Sequence, residues 1–426
     1  MQKSINWNLT PICLVVARGC PALFVGLALM VTQPALAVEV TGLLDARLLA
    51  TDTRQSWLAS GLDKTRFDSG AGGLRLGGAF FKISGDVSDS VTGTVVLSAQ
   101  DDRVGLVDVN EAFLSWNPLP TGAWKSRLRF GAFFPVSSLE IDYDSIGWTP
   151  RDTISSSAIN SWIGEELRTI GLEYRVSRKG RLVGSPHDFG FTAALFGAND
   201  PAGSLLAWRG WSISDRITGL RETIPLANLP AFAAGGAIAS QTRGINEFRE
   251  LDNRLGYYVG ADYAYAGQFE AAALRYDNRG DPMVIASGQY AWLTRFNHLS
   301  ARLKGVGSWE FSLQAMQGDT LMGPAAVYLD FDAWFLLASR PLGPGRVALR
   351  YDKFGTTERR EDIVPGDPNG EQGQALALAY HWKISPRMAL VTEWLAVQSD
   401  RPSRVLLGNP AARTEQSLTS SLRISF

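Results

Sequence analysis

Apolar and polar residues alternate one by one along much of the chain. Arg127, Arg129 and Gly131 oppose Leu128, Phe130 and Ala132, and Leu376, Leu378, Tyr380 and Trp382 oppose Ala375, Ala377, Ala379 and His381. At the end of the chain, Leu418, Ser420, Leu422, Ile424 and Phe426 fall on one side and Thr419, Ser421, Arg423 and Ser425 on the other. Period two is the mark of a strand with one apolar face. Sixteen segments of this kind can be marked. They are Val38 to Thr51, Leu74 to Ser84, Val91 to Gln100, Val107 to Trp116, Lys125 to Phe134, Leu167 to Ser177, Asp188 to Gly197 and Gly256 to Tyr265. The second eight are Gln268 to Tyr276, Trp292 to Leu303, Ser308 to Gln317, Ala326 to Ser339, Arg346 to Lys353, Gln374 to Lys383, Met388 to Gln398 and Glu415 to Phe426.

The connections are unequal. Those after even-numbered segments are short, such as Ala266 to Gly267 and Ile384 to Arg387. Those after odd-numbered segments are mostly long: Asp52 to Gly73, Pro135 to Glu166, Ala198 to Leu255, Asp277 to Ala291, Phe354 to Gly373 and Ser399 to Thr414. Short turns on one rim and long loops on the other, with an even strand count, predict an all-β fold. Its form is a transmembrane antiparallel barrel of about 16 strands. Lipid offers the backbone no hydrogen bonds, so a spanning sheet must close on itself. The outer face then meets acyl chains and the inner face water. Trp116, Trp124, Trp292, Trp309, Trp382, Tyr265 and Phe426 sit near segment ends and are expected to form interfacial girdles.

Residues Met1 to Ala37 read as an export signal. Lys3 and Arg18 are its only charges, Pro21 to Val31 is its apolar run, and Ala35-Leu36-Ala37 its small-residue cleavage site. Residues 38–426 are then a single barrel domain. Both cysteines, Cys13 and Cys20, precede the barrel, so no disulfide framework is expected in it. Without Lys3 and Arg18, 39 basic residues face 42 acidic ones, which argues against a nucleic-acid partner. After Val38 no apolar run reaches the ~18 residues of a spanning helix.

The pattern resembles the sixteen-stranded Gram-negative porins. The closing residues Leu422 to Phe426 (LRISF) are similar to the signature that the outer-membrane assembly machinery reads in that family. EAFLSW (Glu111 to Trp116), LRFGAFFPVSSLE (Leu128 to Glu140) and EELRTIGLEY (Glu165 to Tyr174) resemble one part of the phosphate- and polyphosphate-selective porins, from strand 4 through loop 3 to strand 6. The resemblance implies an outer-membrane homotrimer with the long third loop folded into the lumen, and an arginine ladder and lysine cluster that select anions. Loop 3 departs from that pattern: Glu140, Asp142, Asp144, Asp152 and Glu165 accompany one base, Arg151, and no lysine.

A pore selects by its diameter and by the charges on its wall. Loop 3, Pro135 to Glu165, is the candidate constriction, edged by Asp142, Asp144, Arg151 and Asp152. Alternation adds Arg127, Arg129, Glu173, Arg175, Arg346, Arg350 and Arg423 to the inner wall, with Arg75, Arg47 and Asp45 as weaker candidates. Acids on the loop facing arginines on the wall would set a transverse field across a wet passage. The bland alternative is an ordinary polar lumen. Trp148 and Trp162 either stack on a flat solute or anchor the loop. Leu226 to Ile238 (LANLPAFAAGGAI) is too apolar for a free loop and is expected to plug the mouth, cap the barrel or pack on a neighbouring subunit.

The expected function is passive diffusion of small hydrophilic solutes or ions, with outer-membrane lipid around the barrel. No cofactor, metal or catalytic residue is expected. His187, His298 and His381 lack metal-ligand spacing, and GAGGLRLGG (Gly70 to Gly78) has the wrong spacing for a dinucleotide site. Two other readings are a non-conducting adhesin or receptor scaffold built on the large loops and, more remotely, a barrel enzyme using His381 with a serine.

Overall fold

The computed structural model describes residues 38–426 apart from 104, 121, 144, 324–325, 360–363 and 365. Sixteen antiparallel strands close a barrel in simple up-and-down order. They are β1 (Val38–Thr51), β2 (Gly73–Ser88), β3 (Val91–Ala99), β4 (Val107–Trp116), β5 (Trp124–Phe133), β6 (Thr169–Arg178), β7 (His187–Gly197) and β8 (Gly256–Tyr265). The second half comprises β9 (Phe269–Asp277), β10 (Leu293–Val306), β11 (Trp309–Met322), β12 (Val327–Leu342), β13 (Gly345–Glu358), β14 (Glu371–Ser385), β15 (Met388–Asp400) and β16 (Ala412–Ser425). Closure comes from β1, which pairs with β2 on one side and with β16 on the other, Leu43 opposite Ser425. Among the described residues, the barrel itself leaves no strand edge to seek a partner.

The zigzag sorts as expected. Leu44, Leu48, Phe130, Leu172, Phe191, Leu195, Leu299, Leu313, Leu336, Leu349, Leu378 and Leu418 point outward and are exposed. Such a continuous apolar girdle is stable only against lipid. Trp116, Trp124, Trp309, Trp382, Tyr265 and Phe426 are exposed on this face. Trp292 corrects the expectation: it is fully buried at the loop end of the barrel, where its ring meets that of Trp208 at 4.9 Å. The girdle near that end is formed instead by Trp334, Tyr351 and Trp394, the first two with centroids 5.6 Å apart. β12, β13 and β14 also run past the expected segments, to Leu342, Glu358 and back to Glu371. The added residues include Gly355, Gly373, Glu358 and Glu371, whose polarity hides a strand from an apolar pattern.

The seam between β1 and β16 carries one aromatic lock. The Phe426 amide donates to the Gly42 carbonyl (3.1 Å) and the Gly42 amide to the Phe426 carbonyl (2.9 Å). The Phe426 ring lies where a side chain at position 42 would stand, and meets Phe81 at 5.9 Å. Gly42→Val is therefore expected to expel the ring and lower the temperature at which the barrel unfolds in detergent. An unchanged gel mobility shift on heating would show that the lock contributes nothing.

The inner face differs from the expected wet lumen. On β12 to β15 it is apolar, with Leu329, Phe331, Ala333, Phe335, Leu337, Phe354, Ala375, Ala377, Leu395 and Val397 buried. All of these but Leu329 form one cluster with Ile159, Trp162 and Ile163 of α1 (Ala158–Glu166) and with Leu206, Trp211, Ile213 and Ile217 of the loop between β7 and β8. A second cluster caps the loop end. It joins Trp57 and Leu62 of the first loop, Trp208, Leu226, Leu229, Phe232 and Ile238 of the fourth, and Trp292, Met322 and Leu329. Of the three expectations for the Leu226 to Ile238 segment, the cap is the one these contacts display.

Candidate functional site

Loop 3 enters the lumen because its polar groups find partners there. The α1 helix begins at Ser157, whose hydroxyl accepts from the Asn160 amide (3.3 Å). Its free N-terminal amides face carboxylates: Ala158 donates to Asp352 (3.2 Å) and Ser157 to Glu140 (3.0 Å). A helix N-terminus favours such anions. The Glu393 carboxylate on β15 accepts from the amides of Ile154 (2.8 Å) and Ser155 (3.1 Å). At the centre lies Arg350 on β13, fully buried. It donates to Asp352 (2.8 Å), Glu140 (2.8 Å), the Ser155 carbonyl (2.6 Å) and the Ser156 carbonyl (3.0 Å). Nearby, Arg346 pairs with Asp152 of loop 3 (2.8 Å) and Glu310 (3.1 Å). Acids on the loop thus meet arginines on the wall, in direct contact.

Other wall residues gather on the opposite side. Arg127 and Arg129 share the Glu173 carboxylate at 3.1 and 2.8 Å, and the Tyr258 hydroxyl donates to it at 2.5 Å. Arg129 also lies over the Phe133 ring (4.0 Å). Arg175 pairs with Asp262 at 2.6 Å and Arg302 with Glu270. Below loop 3 a chamber of about 640 Å³ opens among Ser138, Arg151, Arg175, Asp262, Glu270 and Arg302. Gly260, Ala264 and Ala272 leave it the room. Arg151 borders this chamber, while Asp142 lies in the loop-3 hairpin closed by its amide on the Thr149 carbonyl (2.9 Å). Asp144 lies outside the described residues. Trp148 and Trp162 are both buried; Trp148 stacks on Phe134 at 4.7 Å and Trp162 meets Phe296 and Phe331 at 5.4 Å. In this arrangement they anchor the loop.

The sequence reading missed the fourth loop's polar face. Starting from Arg423 on β16, charges alternate in a single chain. Arg423 meets Asp45 (3.5 Å), Asp45 meets Arg47 (2.7 Å), and Arg47 meets Asp215 of loop 4. Asp215 meets Arg66 (3.3 Å), and Arg66 meets Asp102 (2.6 Å). Asp102 meets Arg216 (3.1 Å), Arg216 meets Glu222, and Glu222 meets Arg103 (2.9 Å). The chain stitches loop 4 to β1, β16 and the first two loops. Burial pushes the Asp215 carboxyl up, but the guanidinium groups of Arg47 and Arg66 outweigh it and hold it well below the usual carboxylate range. Arg75 stands apart, paired with Asp101 at 3.5 Å.

His298 and His381 point into the barrel, on strands β10 and β14, and the His187 ring bonds the Tyr263 hydroxyl (2.8 Å). Among the described residues, carboxylate oxygens of Asp200, Glu250 and Asp252 lie within 4.8 Å of one another. The Asp252 amide donates to Asp200 (3.2 Å), so the trio is organised around a turn of loop 4.

No protein-family model matches the chain, and no curated protein matches its sequence. Solved structures do match. The outer membrane channel DcaP of Acinetobacter baumannii is 11% identical, with a TM-score of 0.52 over 92% of this chain and 97% of that one. An anion-selective porin from Comamonas acidovorans is 14% identical, with a TM-score of 0.50 over 92% of this chain and all of that one. The trimer form of in-vitro folded OmpT, an outer membrane protein of Vibrio cholerae, is 11% identical, with a TM-score of 0.50 over 92% and 100%. At such identities the likeness is one of fold, and the sixteen-stranded closure, the apolar girdle and the loop end agree with it: the chain has the fold of the outer-membrane porins.

Proposed function

We propose that the protein is an outer-membrane channel through which small polar or charged solutes diffuse, closed in the state seen here. The observation that carries this reading is the charged, roomy chamber under loop 3, set inside a barrel whose outside is apolar. A barrel built only to be a rigid stave would have no need of about 640 Å³ lined by Arg151, Arg175, Asp262, Glu270 and Arg302. In this reading loop 3 sets the constriction, with Asp142, Asp144, Arg151 and Asp152 at its edge. Residues 1–37 direct export, Phe426 is read during assembly, and three copies associate, as the trimer form of Vibrio cholerae OmpT does.

Purified protein in a planar bilayer should give stepwise conductance, with openings rare in the full-length chain. Neutralising Asp142 and Asp144 together should move the reversal potential under a salt gradient toward anion preference. A seal that never conducts, in any variant, overturns the channel. The capped mouth supports a second reading, a non-conducting scaffold that presents its folded loops to a partner. Shortening loop 4 separates the two: a channel conducts more, and a scaffold loses its partner.

A further inference from the structure

The lumen is not filled uniformly. Toward β12 to β15 the filling is tight: Trp162, Phe331, Phe335 and Ala377 are at most 1% exposed, and the charges there, Arg350, Asp352, Glu140 and Glu393, are buried and hydrogen-bonded. Toward β1 and β16 it is charged and leaves gaps. One cavity of about 40 Å³ is lined by Arg47, Arg66, Asp215, Glu393, Ser417 and Thr419 among others. A second, of about 10 Å³, lies against Asp45, Thr149, Asp215 and Arg423. Their walls mix these polar groups with apolar ones, Leu49, Phe67 and Leu395 in the first and Leu43, Phe80 and Trp148 in the second. The polar groups and this volume suit a few waters in the first and at most one in the second. The residue common to both is Asp215, and its partners Arg47 and Arg66 line the first. Loop 4 therefore closes a file of gaps at one carboxylate, with Trp148, Thr149, Pro150, Ile154 and Ser155 of loop 3 completing the walls.

Resting on the channel reading above, we infer that the solute route runs along the inner wall of β1 and β16, and that Asp215 of loop 4 is the latch that keeps it shut. The latch is reversible because its partners do not depend on it. Arg47 keeps Asp45, and Arg66 keeps Asp102, when loop 4 moves away. Withdrawal of loop 4 joins the two cavities and exposes a wall of Arg423, Asp45, Arg47 and Thr419. The route would then favour charged solutes small enough to exchange partners along an alternating row.

Asp215→Asn keeps the size of the side chain and removes its charge. Two charge-assisted contacts are weakened, so the open fraction in planar bilayers should rise at least ~10-fold. Asp215→Glu should stay closed. The described residues contain no cysteine, so Thr419→Cys in the Asp215→Asn background can be probed with a small charged thiol reagent. Block of conductance is expected there, and none at Ala377→Cys on the apolar wall. If block occurs only at Ala377→Cys, the route is wrong. If shortened loop 4 conducts while Asp215→Asn behaves as the parent, the latch is wrong and the channel survives. If no variant conducts, the channel reading itself fails. Correct folding of each variant is read from its heat-dependent gel shift, and Arg66→Gln tests the same latch from the other side should Asp215→Asn not assemble.

Discussion

An Arg350→Met variant should still close its barrel but lose the docking of loop 3. Arg350 is the point at which the wall holds that loop. Its guanidinium contacts two carboxylates, Glu140 and Asp352, and the carbonyls of Ser155 and Ser156, with no exposed surface. Methionine fills much of the volume and supplies no donor. Glu140 then stays buried with the Ser157 and Asn160 side chains and the Ser157 amide as its donors. Asp352 retains the Ala158 amide. Removing one partner from a buried charge cluster costs about 3–5 kcal/mol, because the charge left behind has no solvent to return to. That is a large fraction of what holds any single domain together. The loss should fall on the loop, since the sixteen ladders of the barrel do not involve Arg350's side chain.

The readout follows from where the tryptophans lie. Trp148 and Trp162 report loop 3, whereas Trp334, Trp382 and Trp394 stand on the outer wall. Near-ultraviolet circular dichroism should lose the loop signal at a lower temperature than the strand signal in the far ultraviolet. Protease should cut between residues 135 and 168 faster than in the parent. Arg350→Lys should not rescue, since an ammonium cannot reproduce a planar fork that reaches carboxylates and carbonyls at once. A variant that melts in one step at the parent's temperature would mean that the apolar contacts of α1 alone hold the loop.

The barrel was legible because its rule is local. A residue's neighbour two places along decides its face, and Val38–Thr51, Val107–Trp116 and Gly256–Tyr265 were delimited to the residue by that rule alone. The filled lumen was not, because filling depends on what comes back to the wall from elsewhere in the chain. One signal was available. From Ala333 to Leu337, β12 is apolar on both faces, with Trp334 and Leu336 outside and Ala333, Phe335 and Leu337 inside. A strand between lipid and water has no use for the inner set, so this run marks where a loop must pack. Asp215 carried no such mark. Its segment, Trp211 to Glu222, lies outside every strand and helix, and its partners Arg47 and Arg66 lie 168 and 149 residues away. Arg47 and Asp45 ranked as weak candidates because their strand position alone says nothing of what faces them across the lumen.

Closure should weaken as pH rises from the ordinary carboxyl range to about 7, and Glu247→Gln should flatten that dependence. One patch where loops 3 and 4 meet holds the carboxyls of Glu165, Glu166 and Glu247 and the cation Arg209. Glu165 takes the cation, Arg209, at 2.6 Å. Glu166 and Glu247 are then left facing each other across the Ser204 hydroxyl, 3.4 and 3.3 Å from it, both fully buried. Glu166 accepts from the amides of Gly203 (3.1 Å) and Leu205 and from the Trp162 indole, and Tyr276 and Asn199 complete its surroundings. One oxygen of Glu247 has no hydrogen-bond partner among the described residues. Burial pushes Glu166 up to about 7 despite its donors, and burial together with Glu166 pushes Glu247 well above its ordinary value. The docked loops therefore hold protons that free loops release above their ordinary value near 4.5. Between that value and about 7 the docked form binds more protons than the undocked one, so docking loses about 1.4 kcal/mol per pH unit for each such group. Below the window the stabilisation is complete, and above it the Glu166 contribution is gone. The open fraction in bilayers, or the melting of loop tryptophans, should follow this slope between pH 4.5 and 8. Glu247→Gln removes one ionisable group while keeping a hydrogen-bonding side chain, and should close the channel more firmly at pH 8 than the parent. A parent profile that is flat, or a Gln variant with the full slope, would place the protons elsewhere and leave the two carboxyls as silent packing.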